Sequence, residues 1–280
     1  MRLALLLVLA ACADAGDEPT SHDGVIDPEG AEDGTWKTLL TADDLIIRAN
    51  VPVTTAQASR LADQLRDAFV FVCNELGGEP TFSPRLNVYV DSKQGAHAGW
   101  AYGDGTFDQI HISPSVLTTP RADDNVIAHE LAHIWEVQNG GYTLPVYADE
   151  GRACEIGDTY NEVNGEPNVW LAPTRKFLAK LDEPTARQRL QAGNQATLPT
   201  EYTGQLWVEF LRTRYNDAGI PDVLARLGQA SIATQNGMRW RAAFETSVGI
   251  TLYDAREAFF AYIAATTGDA AERFRGTRWQ

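Results

Sequence analysis

The sequence predicts an α+β protein with a mixed, strand-containing first half and a mainly helical second half. Two features of the chain predict this. In the first half, short apolar or alternating segments stand between clusters of Gly, Pro and Asp. From about residue 120 onward, apolar residues recur at helical spacing in one segment after another. With 280 residues and 44% hydrophobic content, the chain is large enough to bury a core.

The first half is predicted to combine strands with one long helix. DLIIRANVP, near residue 45, has the composition of a strand, and the apolar spacing that follows predicts a helix from about residue 55 to 76, capped by Thr54 or Thr55. RLNVYVDS then alternates as a strand. QGAHAGWAYGDGTFDQIHIS predicts a turn followed by a second strand, and the alternation of its last six residues is typical of an edge strand.

The second half is predicted to be a succession of helices. No repeat of fixed period and no Gly/Ser linker separates the two halves, so residues 35–280 are predicted to form one domain. Trp and Phe at helical spacing in the last helices predict core positions. The predicted helices span residues 120–138, 147–159, 170–192, 203–216, 219–229, 236–246 and 251–265.

The chain is acidic, with a formal net charge of -15. Residues 13–34 contain eight acidic and no basic residues, which leaves 22 basic and 30 acidic residues in 35–280, a net charge of -8. An acidic protein is repelled by nucleic acid and by anionic lipid surfaces, so neither is expected as a partner. The composition of residues 13–34 predicts a disordered tether.

The N-terminus predicts export from the cytoplasm. Arg2 precedes LALLLVLA, an apolar run too short to span a bilayer permanently. The run ends in Leu-Ala-Ala-Cys12, which resembles the lipobox of bacterial lipoproteins, whose cysteine is lipidated after cleavage of the signal peptide. Residues 1–12 are therefore predicted to be a lipoprotein signal that leaves the protein anchored by lipid at a periplasmic or cell-surface membrane. The alternative is a plain secretory signal.

Two further cysteines lie in the predicted domain. Because an exported protein meets oxidants, a disulfide between Cys73 and Cys154 is chemically permitted. The alternative is a pair of buried free thiols that behave as small hydrophobic side chains.

A metal site is predicted in the helical segment DDNVIAHELAHIWEVQ. His129 and His133 are four residues apart, so both imidazoles project from one face of the helix, as two ligands of one tetrahedral zinc require. Glu130 is placed to take a proton from a water at the open position of the metal. The flanking residues are apolar around most of the helix, which predicts burial, and burying three polar side chains without partners would be costly.

A third ligand is expected from YADEGRACEIGD, which begins a second helix fourteen residues after His133. Glu150 is the preferred candidate. Asp149 and Glu155 are the alternatives, although Asp149 is also favourable as a solvated residue near a helix start.

HELAH followed by LPVYADEGRA resembles the gluzincins, specifically the bacterial peptidase MA-like proteins, over roughly residues 80–265. The resemblance implies a zincin-like fold, one zinc ion held by His129, His133 and Glu150, and peptidase activity with Glu130 as general base. Tyr147 stands at the usual tryptophan position of the family. The sequence departs from thermolysin-like relatives at Cys154, where they carry an aspartate that orients a zinc histidine. Asp158 is an alternative for that role.

The resemblance also implies residues that contact substrate. Tyr202, in EYTG, is the candidate donor to the carbonyl oxygen that gains negative charge, although the family spacing YxxG is one residue longer. The predicted edge strand would pair with an extended peptide, and His111 and Tyr102 are candidates to face it.

The sequence therefore predicts an exported zinc metallopeptidase whose partner is a peptide or protein substrate. Two alternatives remain. One is a non-catalytic lipoprotein that uses the fold for binding or as a scaffold, and the other is a zinc hydrolase with a non-peptide substrate.

Overall fold

The computed structural model describes residues 36–94, 99–103, 106–117, 124–139, 144–166, 181–191, 200–216 and 222–265. The predicted signal and tether lie outside these residues. The chain divides into two compact units. The first contains residues up to 73 together with 79–138, and the second contains 74–78 together with 139–280. The assignment of residues 35–280 to a single domain stays a prediction.

A five-stranded mixed sheet forms the centre of the first unit. Its order is β1-β2-β3-β5-β4; β2, β3 and β5 are parallel, and β1 and β4 are antiparallel strands at the two edges. The strands near residues 45 and 86 confirm the sequence prediction, whereas β1 was not predicted. The strands are β1 (Lys37–Thr41), β2 (Leu45–Ala49), β3 (Leu86–Val90), β4 (Gly99–Gly103) and β5 (Asp108–Ile112).

The predicted position of the edge strand is wrong. β5, which contains the alternating residues, lies between β3 and β4 in the interior of the sheet. The edge strand is β4, GWAYG, which lies in the part of the segment that was predicted to form a turn. β4 reaches this position by pairing antiparallel with β5, so that Trp100 lies opposite His111.

Two helices complete the first unit. Helix α1 (Thr55–Leu76) begins with the predicted cap: the Gln57 backbone N–H donates to Thr54 Oγ1 at 3.2 Å, and the Thr54 N–H donates back to Gln57 Oε1 at 2.9 Å. One face of α1, including Leu65 and Phe69, is fully buried. A short 3-10 helix (Pro114–Leu117) then precedes α2 (Asp124–Asn139).

The second unit is helical in its described part, as predicted. Its core includes Trp207, Phe244 and Phe259, each fully buried, with the Trp207 ring 5.7 Å from that of Phe259 between centroids. The predicted helix at 170–192 is described only from residue 181 onward, where it forms α4. The helices are α3 (Val146–Val163), α4 (Glu183–Gln191), α5 (Thr200–Asn216), α6 (Val223–Gln235), α7 (Trp240–Val248) and α8 (Leu252–Ala265).

The disulfide that the sequence permitted is not formed. Neither Cys73 nor Cys154 is in a disulfide, and both are buried, one in each unit. The Cys73 thiol donates to the Glu79 carbonyl at 3.5 Å, and burial raises its pKa to about 12, so it stays protonated at neutral pH. Among the described residues, no helix is both long and apolar enough to cross a bilayer.

Candidate metal centre

The two predicted histidine ligands lie together on α2. His129 and His133 are fully buried, and their Nε2 atoms are 3.2 Å apart. Their rings are nearly perpendicular, at 79°, because they project one turn apart from the same face of the helix. The helix brings them into the interior because the apolar residues Ile127, Leu131 and Ile134, which flank them, are buried on its other sides.

This spacing fits two ligands of one zinc ion. Ligands bound at 2.0–2.1 Å in tetrahedral geometry are about 3.3 Å apart, and the observed separation of the Nε2 atoms is 3.2 Å. Glu130 is also fully buried, and ligand-capable atoms of His129, Glu130 and His133 all lie within 4.8 Å of one another. The residue types and their separation therefore suit a metal ion with an adjacent carboxylate.

The edge strand β4 passes directly over Glu130. A Cβ added at Gly99 would lie 3.0 Å from Glu130 Oε1 and 2.9 Å from Val126 Cγ1. At the other end of the strand, a Cβ at Gly103 would lie 2.9 Å from Val137 Cγ1. The strand and α2 approach this closely because both glycines lack a side chain. Among the described strands only β5 pairs with β4. The backbone N–H and C=O groups on the other side of β4 therefore face away from the sheet.

His111 and Tyr102 lie on the opposite face of the sheet from α2. Side chains alternate along a strand, so Gly99 and Gly103 face α2, while Trp100 and Tyr102 face the other side. His111 pairs with Trp100 and stacks on it, with ring centroids 3.9 Å apart. His111 and Tyr102 therefore lie on the face of the sheet away from the histidines, and their contact with a substrate stays a prediction.

His111 instead belongs to a stacked row across the sheet. Its ring also stacks on Tyr89, at 4.5 Å, and its Nδ1 lies 3.5 Å from Asp91 Oδ2. Burial lowers the pKa of His111 against the opposing effect of Asp91. Burial raises the pKa of Asp91, but the nearby His111 and the hydrogen bonds from Lys93 and Asn50 outweigh it, so that the pKa falls to about 2. The row stabilises the sheet on the face away from α2.

Glu150 lies in the first turns of α3, in the second unit, and is 2% exposed. Both alternative ligands on α3 are paired with arginines. Asp149 Oδ1 is 3.3 Å from Arg152 Nη2, and Glu155 Oε1 is 2.6 Å from Arg212 Nη1. Asp149 and Glu155 are therefore each engaged by an arginine, and the choice of third ligand stays a prediction.

Asp158, the alternative partner for a zinc histidine, accepts a hydrogen bond from Gln205 Nε2 at 2.6 Å within the second unit.

A buried acid on α2 itself was missed. Glu136 is fully buried and lies seven residues after His129 and three after His133, which places it on the same face of the helix. The sequence could have identified Glu136 as a buried acid, because it follows the two histidines at helical spacing.

Helix α5 crosses α3 at two glycines. A Cβ added at Gly151 would overlap the carbonyl group of Gly204 and lie 2.7 Å from its Cα. A Cβ at Gly204 would overlap the Tyr147 carbonyl oxygen and lie 2.9 Å from the Gly151 nitrogen. The two backbones are therefore in direct contact one residue after Glu150. Tyr202, the candidate oxyanion donor, is half-buried and lies two residues before Gly204 on α5.

The start of α3 is also fixed by the hydroxyl of Tyr147, a role that the sequence did not predict. Tyr147 is 1% exposed, and its Oη accepts hydrogen bonds from Trp240 Nε1 at 3.1 Å and from Arg256 Nη2 at 3.0 Å. Burial raises the pKa of Tyr147, so the hydroxyl stays neutral. Tyr147 is one turn before Glu150, and these contacts hold that turn against α7 and α8.

Comparison with known proteins identifies no family for the chain. No family model and no curated protein matches it. A crystal structure of an M1 zinc metallopeptidase from Deinococcus radiodurans aligns with 84% of this chain at 15% sequence identity and a TM-score of 0.45. The chain spans about half of that protein, since the alignment covers 52% of its length.

Proposed function

We propose that the protein is a zinc-dependent metallopeptidase of the gluzincin type. The observation that carries the proposal is the pair of buried imidazoles on α2, whose Nε2 atoms are 3.2 Å apart beside the buried Glu130. This arrangement has the donor types, spacing and adjacent carboxylate that zinc hydrolysis needs.

Glu150 is proposed as the third ligand. Its position shortly after the histidine helix in the sequence, its burial, and the ion pairs that occupy Asp149 and Glu155 support this choice. Two imidazoles and one carboxylate leave one position of a tetrahedral ion open, which is typical of catalytic rather than structural zinc sites.

The reaction needs a general base, a strand that binds the peptide substrate, and a hydrogen-bond donor to the developing oxyanion. Zinc, when bound, acts as a Lewis acid that polarises the scissile carbonyl and acidifies water. The Glu130 carboxylate takes the proton of the attacking water and then donates it to the leaving amine. The backbone of β4 pairs with an extended peptide, and Gly99 lets that strand lie close to Glu130. Tyr202 is proposed to donate to the developing oxyanion.

The proposal predicts that activity follows metal content. We expect the purified protein to contain about one zinc per chain and to cleave members of a peptide library. A chelator should abolish cleavage, and added zinc should restore it. The measurements are atomic absorption and mass spectrometry of the digests. Zinc-loaded protein that cleaves no peptide would contradict the proposal and favour a binding lipoprotein, and cleavage of esters or sugars alone would favour a different hydrolase.

We further propose that Cys12 is lipidated and that the domain is anchored outside the cytoplasm without spanning the membrane. The motif at Leu-Ala-Ala-Cys12 supports this. Expressed in a bacterium, the chain should partition into detergent and give an N-terminal peptide that carries acyl chains. Cys12→Ala should make it soluble. An unmodified mature N-terminus in the wild-type protein would instead indicate a secretory signal.

A further inference from the structure

The second unit contains a cavity that the proposed peptidase mechanism does not use. Its volume is about 370 Å³, and it lies between α4, α7 and α8. This volume is within the lower range of small-molecule sites. The lining includes three arginines, one from each helix, one glutamate and an aromatic ring: Arg187, Arg241, Arg256, Glu257 and Phe260.

Arg256 provides a positive charge that no described carboxylate neutralises. Its Nη2 donates to the Leu190 carbonyl and to Tyr147 Oη. Both acceptors are neutral, and among the described residues no Asp or Glu forms an ion pair with Arg256. Its Nε atom is buried and donates to no acceptor among the described residues. A guanidinium in this state is well suited to a carboxylate or phosphate.

The other two arginines, Arg187 and Arg241, differ in how firmly ion pairs hold their guanidinium groups. The Arg187 guanidinium lies 4.1 Å above the Phe260 ring and is held by Glu257 at 2.6 Å and Glu183 at 2.9 Å, so its orientation is fixed before any ligand arrives. Arg241 is 71% exposed and pairs only with Glu245, its neighbour one turn on. Such exposed pairs are weak, so Arg241 can turn toward a ligand.

We propose that this cavity binds a small anion bearing carboxylate or phosphate groups, with the half-buried Arg256 as the anchor and Arg241 at the rim. Arg187 and Arg241 are already paired with Glu183, Glu257 and Glu245, so the attraction for an anion comes from Arg256. The inference does not depend on the metal chemistry. A ligand on Arg256 would also stabilise the hydrogen bond from this residue to Tyr147, at the start of α3.

The test is calorimetric titration of the zinc-supplemented full chain with succinate and, separately, with inorganic phosphate, at constant ionic strength set by chloride. We expect saturable binding of at least one of the two anions, and the stronger one identifies the ligand class. Arg241→Gln should weaken binding and Glu257→Gln should strengthen it, each about two- to fivefold, since exposed charges contribute modestly. Arg256→Gln should abolish binding.

The opposite signs of the two exposed substitutions make the outcome decisive. Because Arg256 also bonds Leu190 and Tyr147, its substitution can disturb folding, but Arg241→Gln and Glu257→Gln change exposed side chains of α7 and α8. Absence of saturable binding by both anions would overturn the proposal. Equal affinity in wild type, Arg241→Gln and Glu257→Gln would overturn it as well, because the anion would then bind elsewhere.

Discussion

Glu130→Gln is expected to reduce peptide turnover about 10²- to 10⁴-fold, the usual contribution of a general base, while the protein keeps its zinc. The amide has the size of the carboxylate but accepts no proton at neutral pH. Glu130 is fully buried beside His129 and His133, so the substitution leaves both imidazoles in place. The measurements are kcat and KM on the best library peptide and zinc content by atomic absorption.

Glu79→Gln is the matched control. Glu79 is exposed in the loop after α1, and its side chain lies outside the candidate site, so the same chemical change should leave kcat within about twofold, as for surface substitutions in general. Unchanged turnover in Glu130→Gln would end the assignment of the base. Loss of zinc together with turnover would show that Glu130 supports the site structurally and would contradict its role in proton transfer.

The features that could be predicted from sequence are those encoded by neighbours along the chain. The four-residue spacing of His129 and His133 is a property of one helix, so their convergence to 3.2 Å follows from local geometry. The helix at 55–76 and its Thr54 cap were predictable for the same reason. The strands near residues 45 and 86 were predictable from their local composition and, in RLNVYVDS, from alternation.

The errors concern pairing between distant segments. Nothing local distinguishes an interior strand with polar residues from an edge strand, so β5 was assigned to the edge and GWAYG to a turn. The face to which His111 points depends on its register with Trp100, eleven residues away, and that register is set by the antiparallel pairing. The arginine partner of Glu155 could not be predicted either, since Arg212 is 57 residues from its glutamate.

Gly151, the residue after Glu150, has a packing role that explains its place in the motif. From sequence, Gly151 was only part of a family pattern. In the structure it forms, with Gly204, the contact at which the backbones of α3 and α5 meet. Gly204 in EYTG and Gly151 in DEGR therefore contact each other where the two helices cross. Because this crossing lies one residue from Glu150, it determines how that turn of α3 is held.

Gly151→Ala is expected to lower the free energy of unfolding by about 1–3 kcal/mol, the usual cost of overpacking. In an ordinary helix the same change stabilises by about 0.5–1 kcal/mol, because alanine has the higher helix propensity. The sign reverses here because the new Cβ would overlap the Gly204 carbonyl and force the helices apart. Urea unfolding measures the change, and Gly204→Ala should behave alike because its Cβ would overlap the Tyr147 carbonyl oxygen.

The same substitution should weaken zinc binding about ten- to hundredfold, as loss of a residue that orients a ligand does, if Glu150 is the third ligand. Gly249→Ala is the control. An added Cβ there meets nothing within 4 Å, but its φ of +85° is left-handed, so the control should lose about 1–2 kcal/mol of stability and keep its zinc affinity. A stabilised Gly151→Ala variant would contradict the close crossing. A destabilised variant with unchanged zinc affinity would separate the crossing from the metal site and weaken the case for Glu150.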